Sequence, residues 1–453
     1  MEHAADLTGL AFVVLMALAC GMVMAHFRQP ALVGYLIAGV VLGPTGLGVV
    51  ESRGLISVLA ELGVLLLLFV VGMELSVRTL KYTWRIAVPA VILQILGGLV
   101  LMVLVAWALD LPPATAILLG FVIALSSTAV AVKLLEEIGA LRSRTGRVTV
   151  AVLIAQDLAF LPMMLIVETT GAEGFSLAAA LRIAVSVLLL VGLVWVLMLN
   201  RRQHLPFYQI IAGHVDLGPL AGLFYCFGAS ALIGLLGLSP AYGAFLAGLA
   251  IGNSAEREPM LAVVRPIQSV MVMVFFLSIG LLVDLPFIWD NLGILLVLFA
   301  AVTLFKTAMN IGILHLLNER WTRAFLGGVV ISQVGEFSFL LAATGLSVAA
   351  ISPEEFKLVV SVTVFSLALS PFWLITARRL QHIAARQLPT WRQVFNLTFA
   401  GERFALRRGK SRTGKALQVL AGRLGDSPAA EHEPERTEAK SAETPTETDR
   451  PNA

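Results

Sequence analysis

Residues 113–135 read PATAILLGFVIALSSTAVAVKLL, an apolar run of membrane-spanning length interrupted at its middle by Ser126-Ser127-Thr128. A helix crosses a hydrocarbon core about 30 Å thick with about twenty apolar residues, so hydroxyls at mid-depth are out of place unless they have partners or a task. Residues 324–346 repeat the pattern, with Ser332-Gln333-Val334-Gly335 splitting another apolar run. Eleven further runs surround these two, at 7–27, 30–50, 54–73, 84–109, 147–168, 177–199, 216–237, 239–253, 267–288, 292–316 and 356–377. That makes thirteen; the ninth is short and residues 205–215 are ambiguous, which brackets the count between twelve and fourteen. The interrupted runs are the fifth and the twelfth, so they enter the membrane in opposite directions. Corresponding breaks in two halves predict an inverted-repeat transporter with its site at the repeat interface. Ser and Thr bonding back to their own helix carbonyls give the same pattern without any site.

Composition agrees with a bilayer protein. The chain is 58% hydrophobic and 13% charged over 453 residues, with a mean hydropathy of +0.89. A soluble multi-domain chain does not have these values. The 39 Gly and 19 Pro rule out collagen and low-complexity polymers, and runs of about twenty residues rule out a barrel of short alternating strands. The fold class expected is an all-α polytopic membrane protein, residues 1–380, followed by a cytoplasmic tail, residues 381–453. That tail is basic over 386–423 and acidic over 426–450, composed for disorder at its end, and its basic part would be drawn to anionic lipid. Within it, Gly409 to Ala416 approaches a phosphate-binding loop, but the closing Ser/Thr is alanine and no α/β domain surrounds it. The membrane part is neutral, with 20 Lys+Arg against 20 Asp+Glu.

Fifteen Lys and Arg fall in one set of alternating connections and three, Arg53, Arg182 and Lys357, in the other. This asymmetry predicts the amino terminus outside and the carboxyl terminus in the cytoplasm. The first run follows Glu2 and Asp6 rather than a basic segment, so it reads as a retained helix, not a cleaved signal. Cys20 and Cys226 lie within apolar runs and imply neither disulfide nor thiolate metal site. His26, His204, His214 and His315 have no metal-ligand spacing.

Four charges lie where lipid should exclude them: Asp157 in the sixth run, Lys306 in the eleventh, Glu336 in the twelfth and Glu61 in the third. At about 2.5 to 3.5 kcal/mol each, four unpaired charges cost on the order of 10 kcal/mol. A structural Asp-Lys bridge is one account. The company of Asp157 suggests another. Gln156 adjoins it, and Pro162 loosens the same helix; an acid, an amide and freed carbonyls are hard oxygen ligands suited to a monovalent cation. Asp157 is therefore the candidate cation and proton site, with Gln156, Ser126, Ser127 and Thr128 as helpers and Glu336, Gln333 and Glu61 as possible relay or support.

The ordered motifs resemble the monovalent cation:proton antiporter-2 family, which includes the ligand-gated bacterial potassium efflux antiporters. They are Gln29-Pro30 through Gly34-Tyr35 to Gly39 with Gly43-Pro44, Glu61-Leu62-Gly63 to Phe69 with Gly72-Met73-Glu74, Ser126-Ser127-Thr128-Ala129, Gln156-Asp157, Leu238-Ser239 to Gly248, Phe275-Phe276 with Gly280, and Gly335-Glu336-Phe337. The resemblance implies thirteen helices in an inverted-repeat sodium/proton-antiporter fold, a scaffold that forms a homodimer, and a mobile core whose fifth and twelfth helices are unwound and cross. It makes Asp157 the carrier carboxylate, Gln156 its partner, and Lys306 the charge-compensating residue that pairs with Asp157 when no cation is bound. A Gln-Asp pair is similar to the potassium-preferring, electroneutral type. The tail lacks the nucleotide-binding domain of the potassium efflux relatives, and Asn253 to Arg265 differs from their acidic restraining stretch, so their gating is not expected.

The function expected is therefore exchange of K+ or Na+ for H+ across a bacterial inner membrane, not enzymatic, with no cofactor beyond the transported ions and no nucleic-acid partner. A passive gated cation channel and a sodium-coupled organic-solute symporter are the alternatives. A channel would move cations without protons, and a symporter would need a roomier polar cavity.

Overall fold

The structure, a computed structural model, describes residues 2–27, 30–49, 54–75, 77–169, 177–199, 217–369 and Ile375. The tail 381–453, with its basic and acidic stretches, and residues 205–215 lie outside them.

Among the described residues there are sixteen α-helices. In chain order they are α1 (Glu2–His26), α2 (Ala31–Leu42), α3 (Gly54–Glu74), α4 (Val77–Leu109), α5 (Pro113–Ala124), α6 (Thr128–Glu137), α7 (Arg144–Thr169), α8 (Leu177–Leu199), α9 (Leu217–Leu235), α10 (Pro240–Gly252), α11 (Arg257–Leu281), α12 (Leu285–Asp290), α13 (Leu292–Leu316), α14 (Trp321–Val330), α15 (Phe337–Ser347) and α16 (Pro353–Ala368). Every one of the thirteen apolar runs contains helix. The fifth is divided into α5 and α6 and the twelfth into α14 and α15, as the interruptions predict. This is a multi-pass helical membrane protein.

The tenth run, read from hydropathy as 267–288, is displaced. α11 begins at Arg257, carries Arg265 and Pro266 inside the helix, and stops at Leu281. Charges that look like a loop have partners at the end of α3: Arg257 Nε donates to the Met73 carbonyl at 2.9 Å and Arg265 pairs with Glu74 at 2.6 Å. At the other end Asp284 caps α12 by accepting from the Phe287 N–H, and Pro286 sits in that first turn, where its missing donor is harmless.

The helices pack as two bundles. In one, α3 lies against α9, α10 and α11, and α2 lies between α1 and α11. Small residues let these backbones meet: a Cβ on Gly63 would stand 2.6 Å from the Met271 carbonyl oxygen, and one on Gly39 would stand 2.8 Å from the Gly280 Cα. Lipid offers no hydrophobic drive between helices, so such close approach is how a membrane scaffold gains its contacts. The other bundle gathers α4, α5, α7, α13, α14, α15 and α16 around the two breaks. α8 touches both, meeting α4 and α7 on one side and α10 on the other. A second tie joins α16 to the loop after α11, where Lys357 pairs with Asp284 at 2.8 Å. Lys357 and the Phe287 N–H together hold the Asp284 carboxyl below its ordinary range. The bridge therefore survives acidification until the pH falls through that lowered value.

Candidate functional site

The break in the fifth run follows from its hydroxyls. Leu125 turns to an extended conformation, and Ser127 starts the next helix as its N-cap, its side chain accepting from the Val130 N–H. The break in the twelfth run depends on Gly335, because a Cβ there would stand 2.6 Å from the Ser126 carbonyl oxygen. The two unwound stretches meet directly. Ser126 and Val334 form an antiparallel bridge, and Ser126 Oγ donates to the Ile331 carbonyl at 2.7 Å.

Four half-helix ends thus converge, and the polar side chains match their dipoles. Carboxylates lie at the positive ends. Asp157, on α7, faces the first residue of α6: Thr128 Oγ1 donates toward both carboxylate oxygens at 3.3 and 3.2 Å. Glu336 stands at the start of α15, where its Oε2 accepts from Ser127 Oγ at 2.8 Å. Donors lie at the negative ends. Lys306, fully buried on α13, gives its ammonium to the Ile123 and Leu125 carbonyls where α5 stops. One turn along, Asn310 Nδ2 donates to the Ile331 carbonyl where α14 stops, at 3.0 Å. Anions at helix N-termini and cations at C-termini are the stabilising arrangement.

The two repeats also satisfy their unwound N–H groups alike. Ser126 N–H donates to Gln156 Oε1 from α7 at 3.1 Å, and Val334 N–H donates to Ser366 Oγ from α16 at 3.0 Å. α7 and α16 are the sixth and thirteenth runs, equivalent by the same offset of seven that relates the breaks.

The structure therefore brings Asp157, Gln156, Ser126, Ser127, Thr128 and Glu336 to the crossing. It differs from the expectation at Lys306. Lys306 engages the carbonyls of the broken fifth helix rather than the Asp157 carboxylate, because the end of α5 presents two oxygens that have lost their helical donors. Gln333 is buried in the second break, but neither its Oε1 nor its Nε2 has a hydrogen-bond partner. Glu61 is exposed on α3, in the bundle away from the breaks. Pro162 does not end α7, which continues to Thr169, yet it removes the donor that the Leu158 carbonyl would otherwise receive.

Three residues of the crossing were not singled out from sequence: Gln94, Asn310 and Ser366. Gln94 is a lone amide at the middle of the fourth run, and Asn310 follows Lys306 by one helical turn; those were the available signals. Asp157 is 4% exposed, Gln94 and Lys306 0%, and Gln156 and Asn310 1%. The ligands on offer to a cargo ion are hard oxygens, from a carboxylate, a hydroxyl and unwound backbone. Among the described residues no three His, Cys, Asp or Glu converge as a metal cluster.

Comparison with known proteins agrees with this architecture. The family described as sodium/hydrogen exchanger, transmembrane, matches residues 12–377. The chain is 47% identical over 421 residues to the iron transporter MagA of Paramagnetospirillum magneticum, covering 93% of this chain and 96% of that protein. It is 32% identical over 368 residues to the glutathione-regulated potassium-efflux system protein KefC of Salmonella typhi, covering 78% of this chain and 57% of KefC. It is 29% identical over 378 residues to K(+) efflux antiporter 4 of Arabidopsis thaliana, covering 82% and 64%. The chain thus spans about three fifths of the length of these two potassium relatives. The structure of the sodium proton antiporter MjNhaP1 from Methanocaldococcus jannaschii superposes with a TM-score of 0.64, covering 84% of this chain and 99% of that one, and at 14% identity it shows the fold alone. The potassium-efflux relatives bear out the resemblance to the monovalent cation:proton antiporter-2 family. With paired broken helices, a buried carboxylate at their crossing and a family match over most of its length, the chain belongs to the transmembrane sodium/hydrogen exchanger family.

Proposed function

We propose that the protein exchanges a monovalent cation, potassium in preference to sodium, for a proton, one for one, by competition at Asp157. The observation that carries this reading is the position of that carboxylate. It is buried at the N-terminus of a half-helix, and the hydroxyl of Thr128 is its hydrogen-bonding neighbour. A hydroxyl can donate to a carboxylate or turn a lone pair toward a cation, so the same pair of residues serves either guest. Lys306 and Glu336 sit at opposite kinds of helix end and supply one positive and one negative background charge. The core is then neutral whenever Asp157 holds a cation or a proton, and only a neutral core crosses the low-dielectric layer readily.

Several features of the chain support the wider picture. The alternation of Lys and Arg favours an outside amino terminus and a cytoplasmic carboxyl terminus. The glycine-tight bundle of α2, α3, α10 and α11 suits a homodimerising scaffold in a bacterial inner membrane. Iron is the second cargo to test, because the relative at 47% identity is named an iron transporter. Iron sites use imidazole or clustered carboxylates, and the hard-oxygen surroundings of Asp157 weigh toward a monovalent ion.

The test is proton movement from purified protein in liposomes, read with a trapped pH dye, on addition of K+, Na+ or Fe2+. Potassium is expected to drive protons at lower concentration than sodium, at a rate unchanged by an imposed potential. A unit of uncompensated charge would feel about 2.3 kcal/mol per 100 mV, so a strongly potential-dependent rate excludes one-for-one exchange. Cation flux without proton movement indicates a channel.

Gly335→Val offers an independent check on the crossing. A side chain at this position collides with the Ser126 backbone, so exchange is expected to fall at least about tenfold while circular dichroism shows the helix content retained. Wild-type exchange in this variant would show that the two breaks need not touch.

A further inference from the structure

We propose that Gln94, together with Asn310, is a positioning residue that closes a hydrogen-bonded ring through both broken helices and thereby sets the cation affinity of Asp157. The proposal rests on the exchange reading above. The ring begins and ends at Ser126. Ser126 N–H donates to Gln156 Oε1 at 3.1 Å; Gln156 Nε2 donates to Gln94 Oε1 at 2.8 Å; Gln94 Nε2 donates to Asn310 Oδ1 at 2.9 Å; Asn310 Nδ2 donates to the Ile331 carbonyl at 3.0 Å. That carbonyl also accepts from Ser126 Oγ at 2.7 Å, which completes the circuit.

All three amides point the same way round. Turning any one of them over would bring donor against donor on one side and acceptor against acceptor on the other, so the ring has a single consistent polarity. Its members are 2% exposed or less, so bulk solvent does not reach them to replace a lost link. The second hydrogen of Gln156 Nε2 is held by the Ala124 carbonyl at 3.0 Å. Gln156 therefore acts here as a bracket on the first break, while its neighbour Asp157 is the group facing Thr128. Five structural pieces are tied together: the break after α5, α7, α4, α13 and the break after α14. Gln94 is the direct link between the α7 amide and the α13 amide, and without it the ring is an open chain.

Because Gln156 and Asp157 are adjacent on α7, the ring fixes how deep the carboxylate sits against the N-terminus of α6. Opening the ring lets α7 shift relative to the breaks. Bound cation, which needs several oxygens placed at once, suffers more from such a shift than a bound proton, which needs one. Buried networks of this kind act cooperatively, so the first broken link carries the penalty and a second adds little.

The test is a double-mutant cycle on the full chain in liposomes, with Gln94→Met, Asn310→Leu and the two combined, measuring half-saturating K+ and maximal rate of proton release. Each single variant is expected to raise half-saturating K+ about tenfold, with a smaller effect on the maximal rate, and the combined variant is expected to match the singles. A combined effect near a hundredfold would mean two independent local contacts and would overturn the ring. Half-saturation equal to wild type in Gln94→Met, or a loss confined to maximal rate, would equally overturn it. Should Gln94→Met fail to reach the membrane, Gln94→Leu takes its place: its side chain can neither accept from Gln156 nor donate to Asn310, and the same rise is expected. Wild-type protein that moves no protons overturns the exchange reading and this proposal with it, whereas an active wild type with an unaffected Gln94 variant overturns this proposal alone.

Discussion

Liposomes holding Asp157→Asn are expected to release protons on addition of K+ at least about a hundredfold more slowly than wild type, at every pH. The amide keeps the size of the carboxylate and can still accept from Thr128 Oγ1, so the crossing is left intact. What the substitution removes is the negative charge that a cation requires and the oxygen that a proton requires. Loss of both arms of the exchange, with the midpoint of thermal unfolding within a few degrees of wild type, is the expected pattern. Retained exchange would remove Asp157 from the mechanism altogether, and loss accompanied by unfolding would place it among structural residues.

Lys306→Met is expected to be the most destabilising single change in the core. Two carbonyls at the end of α5, those of Ile123 in its last turn and of Leu125 at its cap, lose their shared donor, and both lie in a buried environment. Hydrogen bonds to a charged donor contribute about 1.5 to 3 kcal/mol each, so a loss of about 3 to 6 kcal/mol is expected, with exchange lost as well. The informative comparison adds Asp157→Asn to the same chain. If the ammonium served chiefly as counter-charge to Asp157, removing the acid would restore stability to the lysine variant. The observed geometry predicts no such rescue, because the orphaned groups are backbone oxygens. Thermal unfolding of the two variants, measured side by side in the same detergent, decides between these accounts.

Much of the architecture was legible in the chain because membranes simplify the code. Runs of apolar residues must be helices, and the clusters of polar residues with a hydroxyl or glycine at mid-depth, as at Ser126 and Gly335, pointed to breaks in two corresponding runs. The intramembrane charges were legible for the same reason, since lipid tolerates few of them. Their partners were not. Lys306 and Asp157 are opposite in charge, which suggests a pair, but only the fold reveals that α5 ends beside Lys306 with two carbonyls to spare. Gln94 looks in sequence like any single amide in an apolar helix, and the residues that give it meaning lie 62 and 216 positions away. Glu61 sits at mid-run as the others do, yet its helix belongs to the other bundle. The start of α11 was misplaced because Arg257 and Arg265 read as loop until their partners on α3 are seen.

Amides neither gain nor lose protons anywhere between mild acid and mild alkali. A cradle fastened by Gln94, Gln156 and Asn310 consequently keeps one shape while the acid it supports changes its load. Acidity then acts on the carboxyl that the amides support and not on the amides themselves, and heat, which loosens neutral and charged links alike, is the stress under which the holder itself gives way.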